Sequence, residues 1–105
     1  MFTLLHMDKL IQVLAKLEVF KGENMRQIPI SSGYRPAFKF ESARTMLSGQ
    51  IELLHEDYLR PGCSTILKIS FVKGIIDDSF FTQEEPFTFS EGTNPLGRGQ
   101  IIERL

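Results

Sequence analysis

The chain has 105 residues, 42% of them hydrophobic and 24% charged, a size and balance that hold one folded domain and leave no room for a second. Its formal net charge of −1 excludes strong long-range attraction to a polyanion, so any affinity for nucleic acid must be local. The lone cysteine, Cys63, excludes an internal disulfide, and no apolar run approaches the roughly 20 residues of a membrane-spanning helix; a reducing, cytoplasmic setting fits, with no membrane partner.

Residues 1–7, Met-Phe-Thr-Leu-Leu-His-Met, lack the basic start and cleavage region of a secretory signal and read as a loose leader, with the domain itself at 8–105. From Met7 to Leu17 two periods compete. Met7, Leu10, Ile11, Leu14 and Leu17 have helical spacing, whereas Ile11, Val13, Ala15, Leu17 and Val19 alternate. The β-branched Ile11, Val13 and Val19, followed by the turn residues Lys21-Gly22-Glu23-Asn24, favour a strand. Gln27-Ile28-Pro29-Ile30 is apolar but broken by a proline, which suits a short extended segment at an edge.

Two strands are expected next, over 36–41 and 44–54, with Leu47, Gly49, Ile51 and Leu53 on one face and Gly49 marking a bulge or a close approach of backbone. Residues 55–60 form a polar connector that ends in Pro61-Gly62, a pair suited to the centre of a type II turn. Across 63–72 the set Thr65, Leu67, Ile69 and Phe71 alternates with Ile66, Lys68, Ser70 and Val72, the clearest strand pattern in the chain. Ile75-Ile76 is expected to start a further extended piece, followed by acidic turns around Phe80 and Phe81. Phe87-Thr88-Phe89-Ser90-Glu91 alternates again, and Gly92-Thr93-Asn94-Pro95 turns the chain into a final strand over 96–105, where Gly97 and Gly99 share a face. Six or seven short strands without a convincing helix predict an all-β barrel or sandwich, and closure into a barrel would remove exposed edges.

The motifs Gly33-Tyr34-Arg35-Pro36-x-Phe38-x-Phe40, Ser48-Gly49-x-Ile51-Glu52-Leu53, Pro61-Gly62, Phe87-x-Phe89-x-Glu91-Gly92 and Gly97-x-Gly99 keep an order and spacing that resembles the third, C-terminal domain of elongation factor Tu across nearly the whole chain. The resemblance implies a single six-stranded antiparallel β-barrel. It also implies a module whose relatives pack against the other domains of that factor, contribute to the surface for its exchange factor and touch the backbone of the tRNA T-stem. On that basis Arg35, Ser48 and Glu91, with nearby Lys39 and Arg98, are the candidate RNA contacts. Ala37 stands where the family has a polar residue and Ser90 where it usually has an arginine. The phosphate-binding Gly-x-x-x-x-Gly-Lys-[Ser/Thr] loop is missing from these residues, so no GTP binding by this chain is implied.

Other side chains favour plain roles. His6, His55 and Cys63 lack metal-ligand spacing, and Asp77, Asp78, Glu84 and Glu85 lack the alternation of a calcium loop; neither a metal nor a cofactor is expected. Cys63 reads as a small half-buried thiol. Phe38, Phe40, Phe71, Phe87 and Phe89 alternate like core rather than like stacking platforms. Phe80 and Phe81 are adjacent, so one of them is a candidate protein contact. Arg35 has two open readings, an RNA contact or an ion pair with Glu41 or Glu91. The expected function is a non-catalytic binding module with a protein partner of the translation apparatus, the alternative being a barrel that binds tRNA or another structured RNA. No acid, base and nucleophile set assembles from these motifs, so no enzyme is expected.

Overall fold

Each long apolar run of the chain resolves into strands that bury every second residue. A computed structural model describes residues 9–22 and 28–105; the expected leader over 1–7, Asp8, Glu23, Asn24 and Gln27 lie outside them. The strands are β1 (Leu10–Val19), β2 (Ile30–Ser31), β3 (Ala37–Phe40), β4 (Leu47–Leu53), β5 (Tyr58–Leu59), β6 (Ser64–Val72), β7 (Pro86–Glu91) and β8 (Asn94–Arg104). Six of them close into an antiparallel barrel in the order β1-β6-β4-β3-β7-β8, with β8 returning to β1. The remaining pair, β2 and β5, forms a small separate sheet.

The period-2 reading of β1 holds: Ile11, Val13, Ala15, Leu17 and Val19 are buried. Leu47, Gly49, Ile51 and Leu53 face inward together from β4. The interior is built on rings. Phe38 meets Phe71 and Phe87 edge to face at centroid distances of 5.3 and 5.4 Å, and Phe40 meets Phe81 at 5.3 Å.

Room for these rings comes from glycines on the facing strands. Gly49 pairs with Phe71, Gly97 with Phe89 and Gly99 with Phe87. A Cβ on Gly49 would lie 2.7 Å from the Phe71 ring, one on Gly97 2.6 Å from the Phe89 ring, and one on Gly99 2.8 Å from the Phe87 ring. At Gly97 and Gly99 the same Cβ would also sit 2.0 and 2.1 Å from the carbonyl oxygens of Glu18 and Lys16. These two glycines therefore let β8 coil tightly against β1 at the seam of the barrel.

The turns follow local chemistry. Gly62 has φ +85°, and Cys63 N–H donates to Arg60 O at 3.0 Å across the Pro61-Gly62 turn, as the type II reading requires. The β7–β8 loop is the two residues Gly92-Thr93, so the last strand begins at Asn94 rather than at 96.

Other expectations are corrected. Ile75-Ile76 does not start a strand: the chain turns at Gly74 (φ +94°) and runs through bends into a 3-10 turn at Asp78–Phe80, whose first N–H groups are met by Asp77. The connector over 55–60 is not wholly polar surface, because Leu59 is buried and pairs with Ile30. The second strand of the 36–54 region starts at Leu47, since Ala43 N–H bonds back to Phe40 O at 3.1 Å and turns the chain there. Of the two readings of Gly49, the close approach holds, and its pairing with β6 runs without a bulge. Cys63 is exposed rather than half-buried.

Candidate functional site

Outward positions of neighbouring strands fall into rows across the barrel. Ala37 pairs with Ser48 on one side and Ser90 on the other. Gly49 N–H donates to Pro36 O at 3.2 Å and Ile51 N–H to Tyr34 O at 2.9 Å, which prolongs this ladder and sets Arg35 beside Gln50. The Arg35 Nη2 donates to Gln50 Oε1 at 2.7 Å. The Arg35 guanidinium thus donates to a neutral acceptor, Gln50, and neither Glu41 nor Glu91, the expected ion-pair partners, accepts from it. Glu91 instead accepts from the Tyr34 hydroxyl, tying the segment before β3 to the β7–β8 hairpin.

The remaining two candidates lie elsewhere on the surface. Lys39 pairs with Thr88, Thr88 with Arg98, and Arg98 with Glu18. Lys39 and Arg98 therefore flank the Thr88 position two strand spacings apart, about 10 Å. Lys39 Nζ donates to Ala43 O at 2.9 Å, and Arg98 Nε donates to Glu18 Oε1 at 3.0 Å. The five residues expected to contact RNA consequently divide into an Arg35, Ser48 and Glu91 group and a Lys39 and Arg98 group, with each cation already donating to a protein acceptor.

Phe81 is no surface contact. It is 2% exposed and packs against Phe40 and Phe71, with Phe80 half-buried beside the core. The strand rule that would turn one ring outward fails because both residues sit at the end of a 3-10 turn. Phe38, Phe40, Phe71, Phe87 and Phe89 are all buried, as the alternation predicted.

Two shallow hollows mark the outer face around Arg98. One, of about 390 Å³, is lined by Lys39, Glu41, Pro86, Thr88 and Arg98; the other, of about 270 Å³, by Lys16, Glu18, Pro86, Arg98 and Gln100. Pro86, Arg98 and Gly99 belong to both. The groups here are hydrogen-bond donors, carboxylate acceptors and aliphatic stems, suited to binding through charge and shape. Among the described residues no cluster of three or more His, Cys, Asp or Glu side chains is arranged to hold a metal ion. Nor is any helix among them long and apolar enough to cross a membrane.

No family model matches the chain. The sequence alone does not single out Thr88, Glu18, Gln50 or Pro86, because their part in the surface depends on which strands become neighbours. The only advance signal was the outward phase of Thr88 between Phe87 and Phe89.

Proposed function

We propose that the chain is a non-catalytic binding module, a barrel like the third domain of elongation factor Tu, which makes protein contacts in or near the translation apparatus of the cytoplasm. One observation carries this reading. The glycines in the motifs of that resemblance occupy positions where the barrel needs them: Gly33, Gly62 and Gly92 have φ of +97°, +85° and +60°, and Gly49, Gly97 and Gly99 leave no space for a Cβ. Each glycine of those motifs therefore has a physical role in this barrel, which supports the reading.

The outer face favours a protein over a nucleic acid. Glu18 and Glu41 stand among the cations around Arg98, with Glu18 3.0 Å from Arg98, and on the β4–β6 side of the barrel Glu52 lies 3.5 Å from Lys68. A phosphate backbone would meet these carboxylates, whereas a protein surface supplies both signs.

Capture on the tagged chain from a cytoplasmic extract at low salt tests the proposal, with an unrelated tagged barrel as control. Enrichment of a translation factor or ribosomal protein is expected, and recovery matching the control rejects the reading. Steeply salt-dependent binding to a tRNA-like hairpin, lost on Arg35→Ala, would transfer the function to RNA.

A further inference from the structure

The two hollows around Arg98 form one trough across β3, β7, β8 and β1, because Pro86, Arg98 and Gly99 are common to both. Its two rows can be read from the pairing. Lys39, Thr88, Arg98 and Glu18 make one. Glu41, Pro86, Gln100 and Lys16 make the other, since Glu41 N–H bonds to Pro86 O at 3.2 Å and Gln100 pairs with both Pro86 and Lys16. A Lys and a Glu therefore stand at each end, while the middle holds Arg98 with a small or neutral floor.

Arg98 has binding capacity in reserve. Its Nε is the nitrogen that meets Glu18, and its Nη pair makes no bond to the described residues. The side chain is 68% exposed. On a side chain this exposed, the two Nη groups are a planar fork that matches a carboxylate. The three strand spacings from β3 to β1 span about 14 Å, the length of about four extended residues.

We propose that this trough docks an extended segment of a protein partner, with an Asp or Glu side chain on the Arg98 Nη fork beside Thr88 and an apolar side chain on Pro86. The inference rests on the binding-module reading and names its surface and the chemistry of its partner. Charge complementarity selects the occupant: a segment with one central acidic group answers Arg98, and the terminal Lys and Glu pairs accept polar flanks of either sign. A run of phosphates would place charge against Glu18 and Glu41.

A random-sequence peptide library displayed on phage is the probe. Selected peptides are expected to share an acidic residue next to an apolar one. A synthetic peptide of that sequence should lose roughly 10- to 100-fold in affinity on Arg98→Ala or on amidation of its acidic side chain, as expected for a hydrogen-bonded charge. Arg98→Lys should lose less, and Thr88→Glu should abolish binding by placing a carboxylate in the floor; circular dichroism confirms that each variant is folded. Failure to select any peptide family, or binding unchanged by Arg98→Ala and Thr88→Glu, overturns the proposal, as does Arg98-dependent binding of an RNA hairpin with no peptide selected. Capture of translation proteins that survives both variants also removes this trough while leaving the binding-module reading in place.

Discussion

Replacing Gly97 with alanine tests whether the barrel seam depends on backbone proximity or only on ring packing. The new Cβ would sit 2.0 Å from Glu18 O and 2.6 Å from Phe89, whereas carbon-to-carbonyl contacts lie at roughly 3.3 Å or more. A ring can rotate away, but Glu18 O belongs to β1, so β1 and β8 must part by more than about 1 Å. Overpacking alone costs about 1–3 kcal/mol, and weakening two ladder hydrogen bonds adds about 1 kcal/mol each. Gly97→Ala should therefore lose about 3–5 kcal/mol, a large part of the ~5–15 kcal/mol that holds a domain together. At Gly49 the obstructing atoms belong only to side chains, Phe71, Ile69 and Phe38, at 2.7–2.9 Å, so Gly49→Ala should lose about 1–3 kcal/mol. A double-mutant cycle separates the two cases. Phe71→Leu should offset part of Gly49→Ala, with a coupling of at least about 0.5 kcal/mol, while Phe89→Leu should not rescue Gly97→Ala. The chain has no Trp, so urea unfolding followed by far-ultraviolet circular dichroism is the assay. A Gly97→Ala stability within about 0.5 kcal/mol of the parent, or its rescue by Phe89→Leu, would refute the reasoning.

Glu84 holds φ +69° in the turn before β7, a conformation that a side chain disfavours, so Glu84→Gly should stabilise by about 0.5–1 kcal/mol and raise the melting temperature; no rise refutes it. Phe81→Ala should cost about 3–5 kcal/mol in the same unfolding assay because its ring is packed among Phe40 and Phe71, and Phe80→Ala should cost less; the reverse order would contradict the burial. Hydrogen bonds from the Ser79 backbone N–H and hydroxyl hold the Asp77 carboxyl below its ordinary 3.8. Its stabilising contribution is fully present above that value and is lost as pH falls through the lower folded value. An NMR titration midpoint for Asp77 below 3.8 is expected, and Asp77→Asn should remove this site's share of the acid sensitivity. Arg35→Ala should change stability by no more than about 0.5 kcal/mol, since its bond to Gln50 is exposed.

The strand phases of β1, β4, β6 and β7 were legible because each buries one face, and a slip by one residue would turn Leu67, Ile69 or Phe87 into solvent. The turn at Pro61-Gly62 was legible from dihedral preference alone. Strand neighbours were harder. Glu91 pairs with Asn94 and Ser90 with Pro95, but Phe89 pairs with Gly97; this bulge adds one residue at Leu96 and sends Gly97 and Gly99 inward and Arg98 outward. Counting back from the hairpin without it would set Arg98 opposite Phe87. The alignment of Lys39, Thr88 and Arg98 depends on that shift, so the site was not visible as a group. The fate of Phe80 and Phe81 was hidden for another reason: a strand and a 3-10 turn direct adjacent rings differently, and Asp77 decides for the turn through its bond to Ser79 N–H.

The position of β1 between β6 and β8 has a consequence for synthesis. As the polypeptide leaves the ribosome, every barrel pairing but two can be made before Asn94–Arg104 emerges, and those two, β7 with β8 and β8 with β1, complete the circle. Until then β1 and β7 both carry unpaired backbone edges, an invitation to association with other nascent chains. Joining β1 to β8 brings together segments some eight tenths of the chain apart, and such distant closure is slow. Ribosome-bound chains stalled before β8 should therefore be protease-sensitive, and the barrel should become resistant as one late event.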